Sequence, residues 1–127
     1  MQHYKIYIAA NFSGRKVLHK TATKLERAGH RITSRWITEG NNRRYKNWHT
    51  RATAAALRDK ADVERAELMI LDTLNKTRRG GREVEFGIAL QKGIPCWLVG
   101  QRRNIFHEFA TKRFSSWKEC VKALSHG

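Results

Sequence analysis

Apolar and polar positions alternate over residues 4–9 (YKIYIA), a β-rich run that predicts a first strand. Residues 11–14 read as a turn. Over 15–28, Val17, Leu18, Ala22, Leu25 and Ala28 recur at helical spacing, and Gly29 supplies a stop. Residues 30–37 (HRITSRWI) read as a second strand, and the polar, basic stretch 38–47 as a loop. A helix is predicted over 48–66, where Ala52, Ala55, Ala56, Ala61 and Ala66 give a small-residue face. The run at 68–72 (LMILD) is continuously apolar up to its last residue, as expected of a parallel strand buried on both faces. A loop at 74–81 leads to a helix over 82–92, ended by Gly93, and 94–99 (IPCWLV) reads as a fourth strand. Pro95 is tolerable at its start. Residues 100–114 read as irregular or partly helical, and 115–125 as a closing helix capped by Ser115 or Ser116.

Strand and helix thus alternate, which predicts an α/β architecture. The expectation is a three-layer, flavodoxin- or Rossmann-like parallel sheet of about four to five strands with helices on both faces, formed by residues 1–127 as a single domain. Ligands of such sheets bind beyond the carboxyl ends of the strands. The loops at 10–15, 73–81 and 100–106 are therefore expected to converge on one crevice.

Charge changes this picture. The 127 residues carry 26 Lys and Arg against 11 Asp and Glu, a net charge of +15. Residues 1–58 hold 13 basic and two acidic side chains, whereas 59–85 hold seven of the eleven carboxylates. A basic chain with one acidic segment suits anionic ligands brought to a carboxylate-bearing site, or a solvated basic surface that binds nucleic acid without sequence preference. No stretch is long and apolar enough to span a bilayer, and the N-terminal residues read as strand and turn rather than a signal peptide. Cys96 and Cys120 are too few and too far apart for a metal motif and the six histidines show no paired spacing, so no metal site is expected, nor is a cofactor; with no secretion signal, a reduced cytoplasmic setting is the default.

Several residues have the chemistry for a site. Asn11, Phe12, Ser13, Gly14 and Arg15 run from a strand into a helix and offer a phosphate seat, or form an ordinary turn. Arg78, Arg79, Gly80, Gly81 and Arg82 do the same after the third strand, as anion contacts or as solvated loop charges; the glycines allow close backbone approach to a ligand. Glu85 lies near the start of the next helix, where the dipole favours an ionised carboxylate, either as a stabilising charge or as a nucleophile. Asp59 is either a solvent-facing partner of Arg58 or Lys60, or part of the site. Asp72 ends the buried strand and should face the crevice. Tyr7 is a core aromatic, or a hydroxyl that holds a carboxylate in place. The four tryptophans read as core or interface residues, with Phe12 the better stacking candidate.

The chain resembles the nucleoside 2-deoxyribosyltransferase family and the related 2′-deoxynucleoside 5′-monophosphate N-glycosidases. Three stretches carry the likeness: Lys5-Ile6-Tyr7-Ile8-Ala9, the segment that opens at Asp59, and Glu85-Phe86-Gly87-Ile88-Ala89-Leu90-Gln91-Lys92-Gly93. Residues 99–107 (VGQRRNIFH) add to it. The sequence departs from the family pattern at Ala10, at Ala66-Glu67 and in the arginines of the 78–82 loop. The resemblance implies cleavage or exchange of the N-glycosidic bond of 2′-deoxynucleosides or their 5′-monophosphates through a deoxyribosyl-Glu85 intermediate. Asp59 would hold substrate or exchange protons with the base, and Tyr7 would orient Glu85. It also implies a homo-oligomer, dimeric or larger, in which a neighbour's C-terminal region completes the site, with Asn104 and Ser115 or Ser116 as candidates.

Overall fold

A computed structural model describes residues 2–39 and 47–125. Five strands form one wholly parallel sheet: β1 Lys5–Ala9, β2 Arg31–Ile32, β3 Leu68–Asp72, β4 Cys96–Val99 and β5 Lys112–Phe114, in the order β2-β1-β3-β4-β5. The helices are α1 Arg15–Arg27, α2 Trp36–Glu39, α3 Trp48–Glu64, α4 Gly81–Lys92 and α5 Trp117–Ser125. Short 3-10 turns lie at Phe12–Gly14 and Ile105–Phe109. Helix α1 packs with α5 and α3 with α4, so two helical layers enclose the sheet. All of β3 and β4, and β1 from Ile6 onward, are buried, as their apolar runs require. This is the α/β architecture expected, with the flavodoxin-like strand order.

Two elements differ from the expectation. Residues 30–37 were expected to be one strand, but only Arg31 and Ile32 pair with β1. After Thr33, side chains take over the ladder: Ile8 N–H donates to Ser34 Oγ at 3.2 Å, and Trp36 Nε1 donates to Ile8 O at 2.8 Å. Asp62 then accepts from Arg35 N–H at 3.0 Å, and the chain turns into α2. The second difference is β5, which lies within the stretch read as irregular or partly helical. Its three residues (KRF) form an edge strand too short and too charged to show a pattern. Much of the loop expected at 38–47 lies outside the described residues.

The loop after β4 is latched to the loop after β3. Arg103 Nε donates to Thr73 O at 2.7 Å, Thr73 Oγ1 to Gln101 O at 2.6 Å, and Arg113 Nη1 to Gly100 O at 3.0 Å. Gly100 makes the approach possible. Its φ is +121°, and a Cβ there would lie 2.6 Å from Thr73 Oγ1 and 2.9 Å from Leu74 N. Gly100→Ala is therefore expected to destabilise the fold by about 2–3 kcal/mol in chemical denaturation, through backbone strain and this collision together.

Candidate active site

The sheet order reverses between β1 and β3, since β1 connects to β2 on one side and β3 to β4 on the other. A crevice opens at such a switch point. Here it is a cleft of about 550 Å³. Ala10, Asn11 and Phe12 line it from the β1 loop, Thr77 and Arg79 from the β3 loop, Gly81 from the start of α4, and Trp48, Ala52, Ala55 and Asp59 from α3. Trp36, Arg51, Arg58, Arg82 and Glu85 complete the wall.

Tyr7 is fully buried in β1, and its hydroxyl donates to Glu85 Oε2 on α4 at 2.6 Å. Asp59, on α3, lines the cleft together with Glu85 and is paired with the Arg58 guanidinium at 3.1 Å. Two carboxyl groups held close together resist ionising at the same time. Burial lifts the Glu85 carboxyl from 4.5 to about 8; the Asp59 charge adds to the rise, while Tyr7 and Arg58 oppose it. Burial also raises Asp59, but Arg58 pulls it back. Glu85 is therefore the carboxyl that keeps its proton up to about pH 8. Tyr7 is itself pushed far up, by burial first and then by the Glu85 and Asp59 charges, so it stays a donor.

The structure thus brings Tyr7, Asp59, Glu85, Asn11, Phe12 and Gly81 to one place. Gly80 precedes Gly81 as the cap of α4, and the space beside both is open. Ser13, Gly14 and Arg15 do not line the cleft. Asn11 Oδ1 accepts from Ser13 N–H at 3.4 Å, Gly14 N–H donates to Asn11 O at 3.0 Å, and the Arg15 guanidinium sits 5.2 Å from the Phe12 ring centre. The loop at 100–106, expected in the same crevice, instead borders a second cavity with Lys76, Arg78 and Glu83.

Asp72 is also outside the cleft. Its carboxylate accepts from Trp117 Nε1 at 2.7 Å and Leu74 N–H at 2.9 Å, which ties α5 to the end of β3. Asn104 caps the second 3-10 turn, accepting from Phe106 N–H at 2.9 Å. Ser116 Oγ accepts from Glu119 N–H at 3.2 Å, and Ser115 N–H donates to Glu119 Oε2 at 3.1 Å, a reciprocal cap on α5. Arg82, expected as an anion contact, is buried, and its Nη1 donates to Asp72 O at 3.1 Å and Asn75 O at 2.7 Å.

Sequence reasoning missed the wall made by α3. Trp48, Ala52, Ala55 and Asp59 follow 4-3-4 spacing, which places them on one helical face, and Arg51 and Arg58, seven apart, flank it. The alanine face was visible, but its continuation to Asp59 is the signal that marks a cleft wall. Small side chains keep this wall open, and Arg51 Nε is buried there without a partner among the described residues.

No family model matches the sequence, and no curated protein matches it. Solved structures do. One is a 2-deoxyribosyltransferase from the psychrotolerant bacterium Bacillus psychrosaccharolyticus, with TM-score 0.76 and 19% identity, over 94% of this chain and 95% of that one. Another is the CMP N-glycosidase BcmB of Clostridium botulinum, with TM-score 0.64 and 14% identity, over 97% of this chain and 98% of that one. A third is a conserved protein from Enterococcus faecalis V583, with TM-score 0.69 and 17% identity, over 97% and 98%. The resemblance read from the sequence therefore holds at the level of fold: along nearly its whole length, this chain is built as a 2-deoxyribosyltransferase and a CMP N-glycosidase are built.

Proposed function

We propose that the protein cleaves the N-glycosidic bond of a 2′-deoxynucleoside or its 5′-monophosphate, with Glu85 as nucleophile. The observation that carries this reading is the 2.6 Å hydrogen bond from the buried Tyr7 to Glu85, a half-buried carboxylate that lines the cleft with Asp59. The Tyr7 hydroxyl fixes one Glu85 oxygen and leaves the other for the anomeric carbon. In the reactive form the Glu85 proton has passed to Asp59. As the bond from C1′ to the base nitrogen breaks, its electron pair goes to the base, Asp59 delivers the proton, and a Glu85 oxygen bonds to C1′ through an oxocarbenium-like transition state. Asp59 then takes a proton from water, which displaces Glu85; a second base in place of water gives transfer. Phe12, Trp36 and Trp48 offer flat apolar surface to a base.

A 5′-monophosphate is the form of substrate that the cleft favours. Arg51, Arg58 and Arg79 line it, and Arg51 Nε is a buried donor without an acceptor among the described residues. The test is chromatographic: each deoxynucleoside and each deoxynucleoside 5′-monophosphate is incubated with the protein, with and without a second free base. Release of base from monophosphates, with KM raised at least about tenfold in Arg51→Leu, is the expected result. Exchange onto the second base would make transfer the activity. No release from any of these substrates would overturn the reading.

We further propose that the protein assembles into a homo-oligomer with shared sites and works in the cytoplasm. The family resemblance supports the oligomer, and the reduced thiols of a chain read without a signal peptide support the location. Among the described residues, no helix is long and apolar enough to cross a membrane.

A further inference from the structure

The net charge of +15 is not absorbed by the cleft. Helix α1 buries Leu18, Ala22 and Leu25 and presents Lys16, Lys20, Lys24 and Arg27 to solvent. At 100° per residue these four cations fall within an arc of about 80°, opposite the buried stripe, and span about 17 Å of helix. Helix α5 packs beside α1 and is anchored under the same layer by His30, whose Nε2 lies 2.8 Å from Leu124 O. It adds exposed Lys118 and Lys122, one turn apart. None of the six cations forms an ion pair among the described residues. The carboxylates on these two helices are Glu26 and Glu119, and Glu119 is engaged in capping α5.

We propose that the outer face of α1 and α5 binds the phosphate backbone of duplex nucleic acid, independently of the cleft bounded by α3 and α4. Duplex DNA carries one charge per about 1.7 Å of axis, so a stripe of this length meets several phosphates at once. The outward positions of α1 and α5 carry no exposed Phe, Tyr or Trp among the described residues. Val17 is exposed on α1, a single β-branched side chain beside the basic stripe. Unpaired bases bind by stacking on aromatic rings, and amphipathic helices enter lipid through Trp, Phe and Leu side chains. Their absence directs this face to a paired backbone.

The test is fluorescence anisotropy with a labelled duplex of about 20 base pairs, titrated between about 50 and 200 mM salt. Wild-type affinity is expected to fall at least about 10³-fold across that range, the behaviour of six or more phosphate contacts. The quadruple variant Lys16→Gln, Lys20→Gln, Lys24→Gln, Arg27→Gln changes only exposed positions. It is expected to keep the wild-type melting temperature and to reduce the slope of log affinity against log salt by roughly 3–4, about 0.9 for each lost contact. Absence of binding at low salt, an unchanged slope in the variant, tighter binding to a single strand than to the duplex, or stronger capture by phosphatidylserine vesicles would each overturn the proposal.

Discussion

Glu85→Gln is expected to reduce base release by at least about 10³-fold, because the amide cannot form the glycosyl bond on which the proposed reaction depends. The same change has a second, independent readout. Burial holds the Glu85 carboxyl near 8 in the folded protein against 4.5 in its ordinary state. Between those values the folded chain keeps a proton that the unfolded chain has released, so stability falls as pH rises through this window, and the full cost is present above it. Glutamine never ionises and escapes that cost. The two melting temperatures should nearly coincide at about pH 5, and by about pH 9 the variant should melt roughly 5–10 °C higher, within a ceiling of about 5 kcal/mol set by the shift. A variant that releases base at the wild-type rate would remove Glu85 as nucleophile. Parallel melting curves at every pH would show that Glu85 is not held protonated by its surroundings.

How legible was this arrangement in the chain? The core was, because burial on both faces imposes continuous apolar runs: LMILD became β3, and IPCWLV contained β4. The stretch HRITSRWI misled, because its β-rich composition conceals the side-chain hydrogen bonds that end the ladder. Ser34, Trp36 and Asp62 bond to Ile8 and Arg35, and no local pattern reports partners 26–28 residues away. Tyr7 and Glu85 are 78 residues apart, so no periodicity joins them. A family pattern does, since it preserves their order along the chain. Asp72 marks the limit of the topological argument. A carboxylate at a strand end in this fold class is expected in the crevice, but Trp117, 45 residues later, supplies an indole N–H that holds it against α5. Likewise, in the 10–15 loop Asn11 reaches the cleft while Ser13 N–H and Gly14 N–H turn back onto Asn11, and the guanidinium groups that line the cleft come from α3, the β3 loop and the start of α4.

One proton between two neighbouring carboxyls gives the pH profile a shape that an isolated nucleophile would not have. Glu85 keeps its proton up to about pH 8, and the reactive arrangement has it on Asp59 with Glu85 ionised. Above that pH the pair loses the proton that the departing base needs, so kcat/KM is expected to fall with an inflection near 8. Tyr7 acts through Glu85 as a positioning residue: its hydrogen bond stabilises the carboxylate and so favours the reactive arrangement. A hydrogen bond to a charged group is worth about 1.5–3 kcal/mol, so Tyr7→Phe should slow base release by about 10- to 100-fold at neutral pH. The same loss raises the proton affinity of Glu85, and the alkaline inflection moves upward. The variant is therefore slower than wild type yet holds its remaining activity to higher pH. A purely structural role for Tyr7 would lower the rate with the inflection unmoved. A wild-type rate that climbs through pH 8 instead of falling would show that Glu85 need only be ionised and that Asp59 delivers no proton to the base.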